Sequence, residues 1–370
     1  MKVICSKSNL FTAINIVLKA VPAKTSMSVL ECILIKADND EIKLESNDME
    51  LAIETVIEGD IIEDGCIAIN AKIFANIVKN LPDDDVTIET DSSLNTHIVC
   101  NDVNFNIPAK DGEEFPAIPF IERSKKIVVS EMTLRDIIRQ TVFSISDNEN
   151  NIIMTGELFE ITGNKMRVVA LDGHRIAVRK VDLREDFGNY KVIVPGKALN
   201  EIKSILSGEN SSDVNIYFSD KNIMFELENT VILSRIIEGE YYRIDQMIPK
   251  DFETHLVINK QQLLSSIERA MPLVTETDKK PIIIGIDDEK MGLKMNTQRG
   301  KYNESINITK EGHDILIGFN PKFIMDVLRN IDDESIEIYL INSKSPCFIK
   351  NKEESYMYLI LPVNISNSEV

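Results

Sequence analysis

The chain has 370 residues, 43% hydrophobic and 27% charged, with 15 glycines and 12 prolines. These values exclude a disulfide-stapled miniprotein, a collagen-like repeat and wholesale disorder, and at roughly 100 to 200 residues per domain they predict two or three domains. Sixty acidic against 41 basic residues leave a net charge of −19, which for the chain as a whole argues against nucleic acid and anionic membranes as partners.

The opening MKVICSKSNLFTAINIVLKAV breaks its apolar residues with Ser6, Lys7, Asn9 and Thr12 before a signal-peptide core can form. No stretch reaches the roughly 20 apolar residues that span a bilayer, so a soluble, cytoplasmic protein with no membrane partner is expected. After a short strand, Leu10, Ile14 and Leu18 recur at helical spacing and predict a helix over 7–19. A second amphipathic helix is predicted over 71–80, followed by the acidic turn Asp83 to Asp85 and the alternating strand VTIET from Val86.

The pattern then begins again. KIVVSEMTLRDIIRQTVFSI from Lys126 aligns without gaps to the opening segment, and VPGKALNEIKSIL from Val194 aligns to INAKIFANIVKNL from Ile69. These copies predict helices over 131–142 and 195–206 and the strand VNIYF from Val214. A third copy comprises HLVINKQQLLSSIERAMPLV from His255, FNPKFIMDVLRNI from Phe319 and IEIYL from Ile336, with helices over 260–271 and 321–330. Lys72, Lys197 and Lys322 fall in one register. The expected class is α+β, three tandem copies of a unit with two helices and a mainly antiparallel sheet, at 1–122, 126–250 and 254–370, with linkers near Phe120 to Lys125 and Lys250 to Thr254.

Charge is distributed unevenly between these elements. The six predicted helices hold twelve basic and five acidic residues, a net of +7 within a chain of −19. A basic helix layer beside acidic strands and loops points to an anion-facing surface. With no recognition helix, RNA-binding aromatic strand or zinc finger present, contact with phosphates independent of base sequence is expected.

Catalytic chemistry is not expected. His174 has no neighbouring nucleophile, there is no GxSxG, Walker or HExxH motif, and His97, His255 and His313 lack metal spacing. Gly173 is read as a tight-turn residue and Asp83 to Asp85 as a solvated turn. Cys5, Cys32, Cys66, Cys100 and Cys347 form no CxxC pair, so reduced thiols are expected, with no disulfide, metal site or cofactor.

The three repeats, with ALDGHRIAVRK from Ala170, EYYRIDQMIP from Glu240 and YLILPVNI from Tyr358, closely resemble the bacterial DNA polymerase III beta subunits, the sliding clamps, over Met1 to about Ile365. The resemblance implies a DNA clamp fold, with two chains joined head to tail in a closed ring around duplex DNA and twelve helices lining the hole. It implies DNA-facing roles for Lys24, Lys72, Lys79, Arg135, Arg139, Lys197, Lys203, Lys260, Arg269, Lys322 and Arg329, and for Asn148, Asn151 and Ile153 on a loop.

It further implies a pocket for Gln-x-Leu-x-Leu/Phe peptides of the replicative polymerase, clamp loader and repair proteins. The second repeat would contribute Met154, Leu171, Gly173, His174, Arg175 and Ile176. Tyr242, Gln246 and Met247 would come from the segment before the third repeat, and Leu359, Leu361, Pro362 and Val363 from the last strand. Leu171 stands where the family often has Thr, Tyr242 where it has Pro, Gln246 and Asn364 where it has Arg, and Leu361 where it has Met. Phe105 and Ile107 on a first-repeat edge strand, with Pro272 and Leu273 at a third-repeat helix end, would form the homodimer junction. The alternative is an acidic three-domain protein-binding scaffold with no DNA role.

Overall fold

The computed structural model describes residues 1–123, 126–208, 212–249, 251–275 and 280–365. Among them are six α-helices: α1 Lys7–Val17, α2 Ala71–Lys79, α3 Glu131–Thr141, α4 Gly196–Ile205, α5 Lys260–Ala270 and α6 Pro321–Asn330. Each lies within its predicted window, and a 3-10 turn, Leu18–Ala20, continues α1.

The repeat register also sets where helices start. Ser6, Ser130 and Asn259 are aligned, and their side chains accept the Asn9, Thr133 and Gln262 backbone N–H groups at 3.2, 3.2 and 2.9 Å. In the second block Asn70 and Asn320 cap α2 and α6, accepting from Ile73 and Lys322 at 3.1 and 3.0 Å. Each such cap contributes about 1 kcal/mol by satisfying a backbone donor that the helix leaves open.

Among the described residues the strands form four antiparallel sheets. By compactness the chain divides into Met1–Arg135 with Asn200–Ile236, and Asp136–Leu199 with Ile237–Val370. Three sequence repeats give two compact units because two of the sheets continue across repeat seams.

In the first unit, a nine-stranded sheet joins Leu51–Ile57 of the first repeat to Thr230–Arg235 of the second. The Thr55 and Thr230 hydroxyls meet at 2.8 Å on that seam. A five-stranded sheet runs Asp60–Glu63, Lys2–Ser6, Asp85–Thr90, Asn95–Cys100, Val103–Pro108. Helix α1 buries Leu10, Ala13, Ile14 and Val17, and α2 buries Ala71, Phe74, Ile77 and Val78.

In the second unit, a nine-stranded sheet joins Arg175–Asp182 to Tyr356–Ile360. A four-stranded sheet runs Gly300–Asn307, Lys290–Thr297, Ile282–Asp287, Ile315–Phe319. One apolar cluster unites both sheets with α5 and α6 through Leu263, Ile267, Ile324, Leu328, Ile284 and Tyr358. All five cysteines are free thiols.

Candidate nucleic-acid and peptide-binding surfaces

The apolar faces of the helices are buried, which turns their basic residues outward. Lys72, Lys79 and Lys322 are exposed and, among the described residues, enter no ion pair. Lys24, in the loop after α1, is likewise exposed, as is Lys197. Lys203 donates to Asn200 Oδ1 at 3.1 Å and Arg135 to the Ser207 carbonyl at 3.0 Å.

The carboxylates of these helices are held by partners. Glu131 is buried and accepts from the Ser207 and Ser212 hydroxyls at 2.8 and 3.1 Å. Asp136 pairs with Arg139 at 3.1 Å, Glu201 with Lys19 at 3.8 Å, Glu268 with Arg329 at 2.8 Å and Asp326 with Arg175 at 2.6 Å.

Several basic residues expected to face DNA are occupied within the protein. Arg139 binds Asp136, the Asn330 carbonyl and, at 2.6 Å, Asp332. Lys260 donates to the Ile331 carbonyl at 2.7 Å, and Arg269 grips Glu304 at 2.5 and 2.9 Å. The phosphate-facing assignment therefore fits Arg139, Lys260, Arg269 and Arg329 less well than Lys72, Lys79 and Lys322.

The DGHR segment forms a turn on Asp172, whose Oδ1 accepts from His174 N at 2.9 Å and Arg175 N at 3.0 Å. Gly173 sits at φ +89°, a conformation that a Cβ disfavours. The His174 ring is exposed and stacks on Phe323 at 6.0 Å, and its carbonyl accepts from Leu361 N at 2.8 Å. No group of carboxylates, thiols or imidazoles among the described residues could hold a metal ion. Asp83 and Asp84 form an exposed bend, whereas Asp85, expected in the same turn, is the first residue of the strand Asp85–Thr90 and pairs with Ser6.

Sheet alternation sorts the residues that follow. Leu171 lies opposite Ile176, Ile176 opposite Leu359 and Leu359 opposite Phe348, an apolar row across four adjacent strands. Met154, Tyr241, Ile244 and Phe252 pack against the same face. Around it Met247 is 53% exposed and Tyr242 39%, with Gln246 and Leu361 also open to solvent.

Arg175, one residue before Ile176, emerges from the opposite face and does not line the row. Its guanidinium bonds Asp172, Asp326 and the Phe143 carbonyl between the Phe143 and Phe323 rings. Pro362 is half-buried, and Val363 beyond it is bridged to Gly318 of the four-stranded sheet. Residues 366–370, which follow the last strand, lie outside the described residues.

On the loop, Asn148 is exposed, whereas Asn151 and Ile153 are partly covered. At the sheet margins, Val103–Pro108 ends the five-stranded sheet, with Phe105 38% exposed and Ile107 half-buried. Gly300–Asn307 ends the four-stranded sheet. Leu273 lies beside this second edge, its Cδ2 3.5 Å from where a Cβ on Gly300 would stand, and Pro272 is exposed next to it.

Family profiles of the DNA polymerase III beta subunit match the chain three times: the N-terminal domain over residues 1–119, the central domain over 128–242 and the C-terminal domain over 245–364. The chain belongs to the DNA polymerase III beta subunit family.

The beta sliding clamp of Staphylococcus epidermidis is 32% identical over 361 residues, covering 95% of this chain and 96% of that protein. That of Staphylococcus aureus is 32% identical over 363 residues, with the same coverage. Among solved structures, a DNA polymerase III beta subunit from Eubacterium rectale superposes with a TM-score of 0.96 at 56% identity, covering 99% of this chain and 100% of that one. The sliding clamp of Bacillus subtilis superposes with a TM-score of 0.96 at 30% identity, with the same coverage.

Against this beta-subunit background, sequence reasoning missed the covering residues Tyr241, Ile244, Phe252 and Phe348 and the edge strand Gly300–Asn307. Phe348 stands in the continuous apolar, buried run Cys347, Phe348, Ile349, so alternation gave no signal for its face. Its face became readable through its pairing with Leu359.

Proposed function

We propose that this chain is a DNA sliding clamp that closes with a second copy, first repeat to third, into a ring around duplex DNA. Its domains are taken as 1–122, 126–250 and 254–370. It tethers the replicative polymerase, performs no chemistry of its own and works in the cytoplasm.

The observation that carries the DNA contact is the placement of Lys72, Lys197 and Lys322. Each is the second residue of its helix, α2, α4 or α6. A cation there opposes the helix dipole at a cost of about 0.3–1 kcal/mol. Its recurrence in three copies therefore serves something other than helix stability, and a phosphate satisfies both the ammonium and the helix end. The family assignment disfavours a scaffold with no DNA role.

The row Leu171, Ile176, Leu359, with the rim Tyr242, Gln246, Met247 and Leu361, supports docking of a Gln-x-Leu-x-Leu/Phe segment from polymerase, clamp loader or repair proteins. Its apolar anchors would bury surface worth roughly 25 cal/mol per Å². The test is extension of a primed single-stranded circle by the replicative polymerase and clamp loader of the same organism. Long products should appear only when this protein is added, and far fewer with Met247→Ala. Equal product lengths with and without the protein would overturn the proposal.

A further inference from the structure

Two of the three loop residues expected to touch DNA are attached to the wall of the peptide pocket. Asn151 Nδ2 donates to the Tyr242 hydroxyl at 2.8 Å, although 91 residues separate the two in sequence. Ile153 lies over Gly239, where a Cβ would come within 2.6 Å of the Ile153 Cδ1. With Met154 it packs on the cluster of Leu158, Leu171 and Ile176.

Backbone hydrogen bonds tie the loop to the pocket wall. Asn151 N donates to the Asn148 carbonyl at 3.1 Å, Met154 N to the Asn151 carbonyl at 3.0 Å and Ser146 N to the Met154 carbonyl at 2.8 Å. Moving Asn151 therefore moves Met154 in the pocket wall. Tyr242 stands edge-on to the buried ring of Tyr241, with centroids 6.2 Å apart, and its hydroxyl is fixed by Asn151.

We infer that the Asn151–Tyr242 hydrogen bond couples duplex contact at the loop to peptide occupancy of the pocket, with negative sign. This rests on the clamp function proposed above, on the DNA contact that the family resemblance implies for the loop, and on Tyr242 as pocket wall. A phosphate oxygen is a stronger acceptor for the Asn151 amide than a neutral phenol. A duplex that draws Asn151 outward releases Tyr242, and an arriving peptide must order that ring again. By linkage, a bound peptide that holds Tyr242 weakens the loop's grip on phosphate by the same factor. One neutral hydrogen bond sets the scale at about two- to tenfold in affinity.

The experiment measures anisotropy of a labelled Gln-x-Leu-x-Leu-Phe peptide on the full-length protein, free in solution and loaded on nicked circular duplex after the loader is washed away. Wild type should bind the peptide about two- to tenfold more weakly on the circle. Tyr242→Phe, which removes only the hydroxyl, and Asn151→Ala should each abolish that difference, and the double variant should match the singles. Equal wild-type affinity on and off the circle, or a difference that persists in Tyr242→Phe, overturns the coupling. Peptide binding to neither form, or loss of the protein from the circle, overturns the proposed function and the coupling with it.

Discussion

Arg175 crosses 151 residues of chain to place Nη1 2.6 Å from Asp326 Oδ2, while its Nε holds Asp172 at 2.9 Å. The side chain is 9% exposed and its partners 13% and 19%, so the charges are largely withdrawn from water. Removing the arginine leaves two carboxylates uncompensated. Arg175→Ala should lower unfolding stability by about 3 kcal/mol, and Arg175→Lys, which keeps the charge but loses the fork, by less. Urea unfolding of the three proteins checks this, and an unchanged midpoint for Arg175→Ala would contradict it.

Glu304 gives a pH prediction. Its bonds from Arg269, Tyr302 and Ser266 hold the carboxyl at about 2, against an ordinary value of 4.5. A carboxylate depressed by folding contributes stability above its unfolded value and loses it as pH falls through its folded one. The contribution is thus complete above about 4.5 and absent below about 2. Glu304→Gln should flatten the fall in stability across that window, read by thermal unfolding at stepped pH. A wild-type slope retained in the variant would rule out this network as its source.

The exposed lysines and the paired arginines should separate in a salt titration. Each phosphate that the protein no longer neutralises reduces the slope of log affinity against log salt by about 0.9. Charge reversal of Lys72, Lys79, Lys197 and Lys322 should lower that slope for binding to short linear duplex, where no topological link holds the protein, and leave the fold intact. Arg139→Gln should change the slope little and cost stability, because its charge already serves Asp136 and Asp332. Equal slope changes in the two variants would reverse this ordering.

The fold was legible where physics repeats locally. Leu10, Leu134 and Leu263 mark the same helical turn in three copies, and Ser6, Ser130 and Asn259 the same cap, so helix positions followed from one chain. Contacts between distant segments left no such trace. Arg139 meets Asp332 across 193 residues. The face on which Arg175 emerges depends on pairing with Ile360, on a strand the sequence placed only by resemblance. Because side chains alternate, one residue of register decides between pocket and core.

The sheet edges predict the oligomer. An unpaired edge with apolar residues invites another strand, and two unlike edges per chain close a two-fold ring when joined head to tail twice. Changing Ile107 and Leu273 together to Asp should convert a particle of about twice 41.8 kDa to a folded monomer. Light scattering that finds the double variant still dimeric, or wild type monomeric at micromolar concentration, would refute this junction.

The most direct test of the encircling role is topological. The protein is loaded on a nicked circular duplex, the complex is isolated by gel filtration in high salt, and the circle is then cut once. A ring threaded by DNA resists the salt while the circle is intact and slides off when it becomes linear, whereas a surface binder responds to salt and ignores the cut. Co-elution with the circle and loss from the cut molecule is the predicted result. Equal retention on both forms, or release by salt from the intact circle, would contradict encirclement.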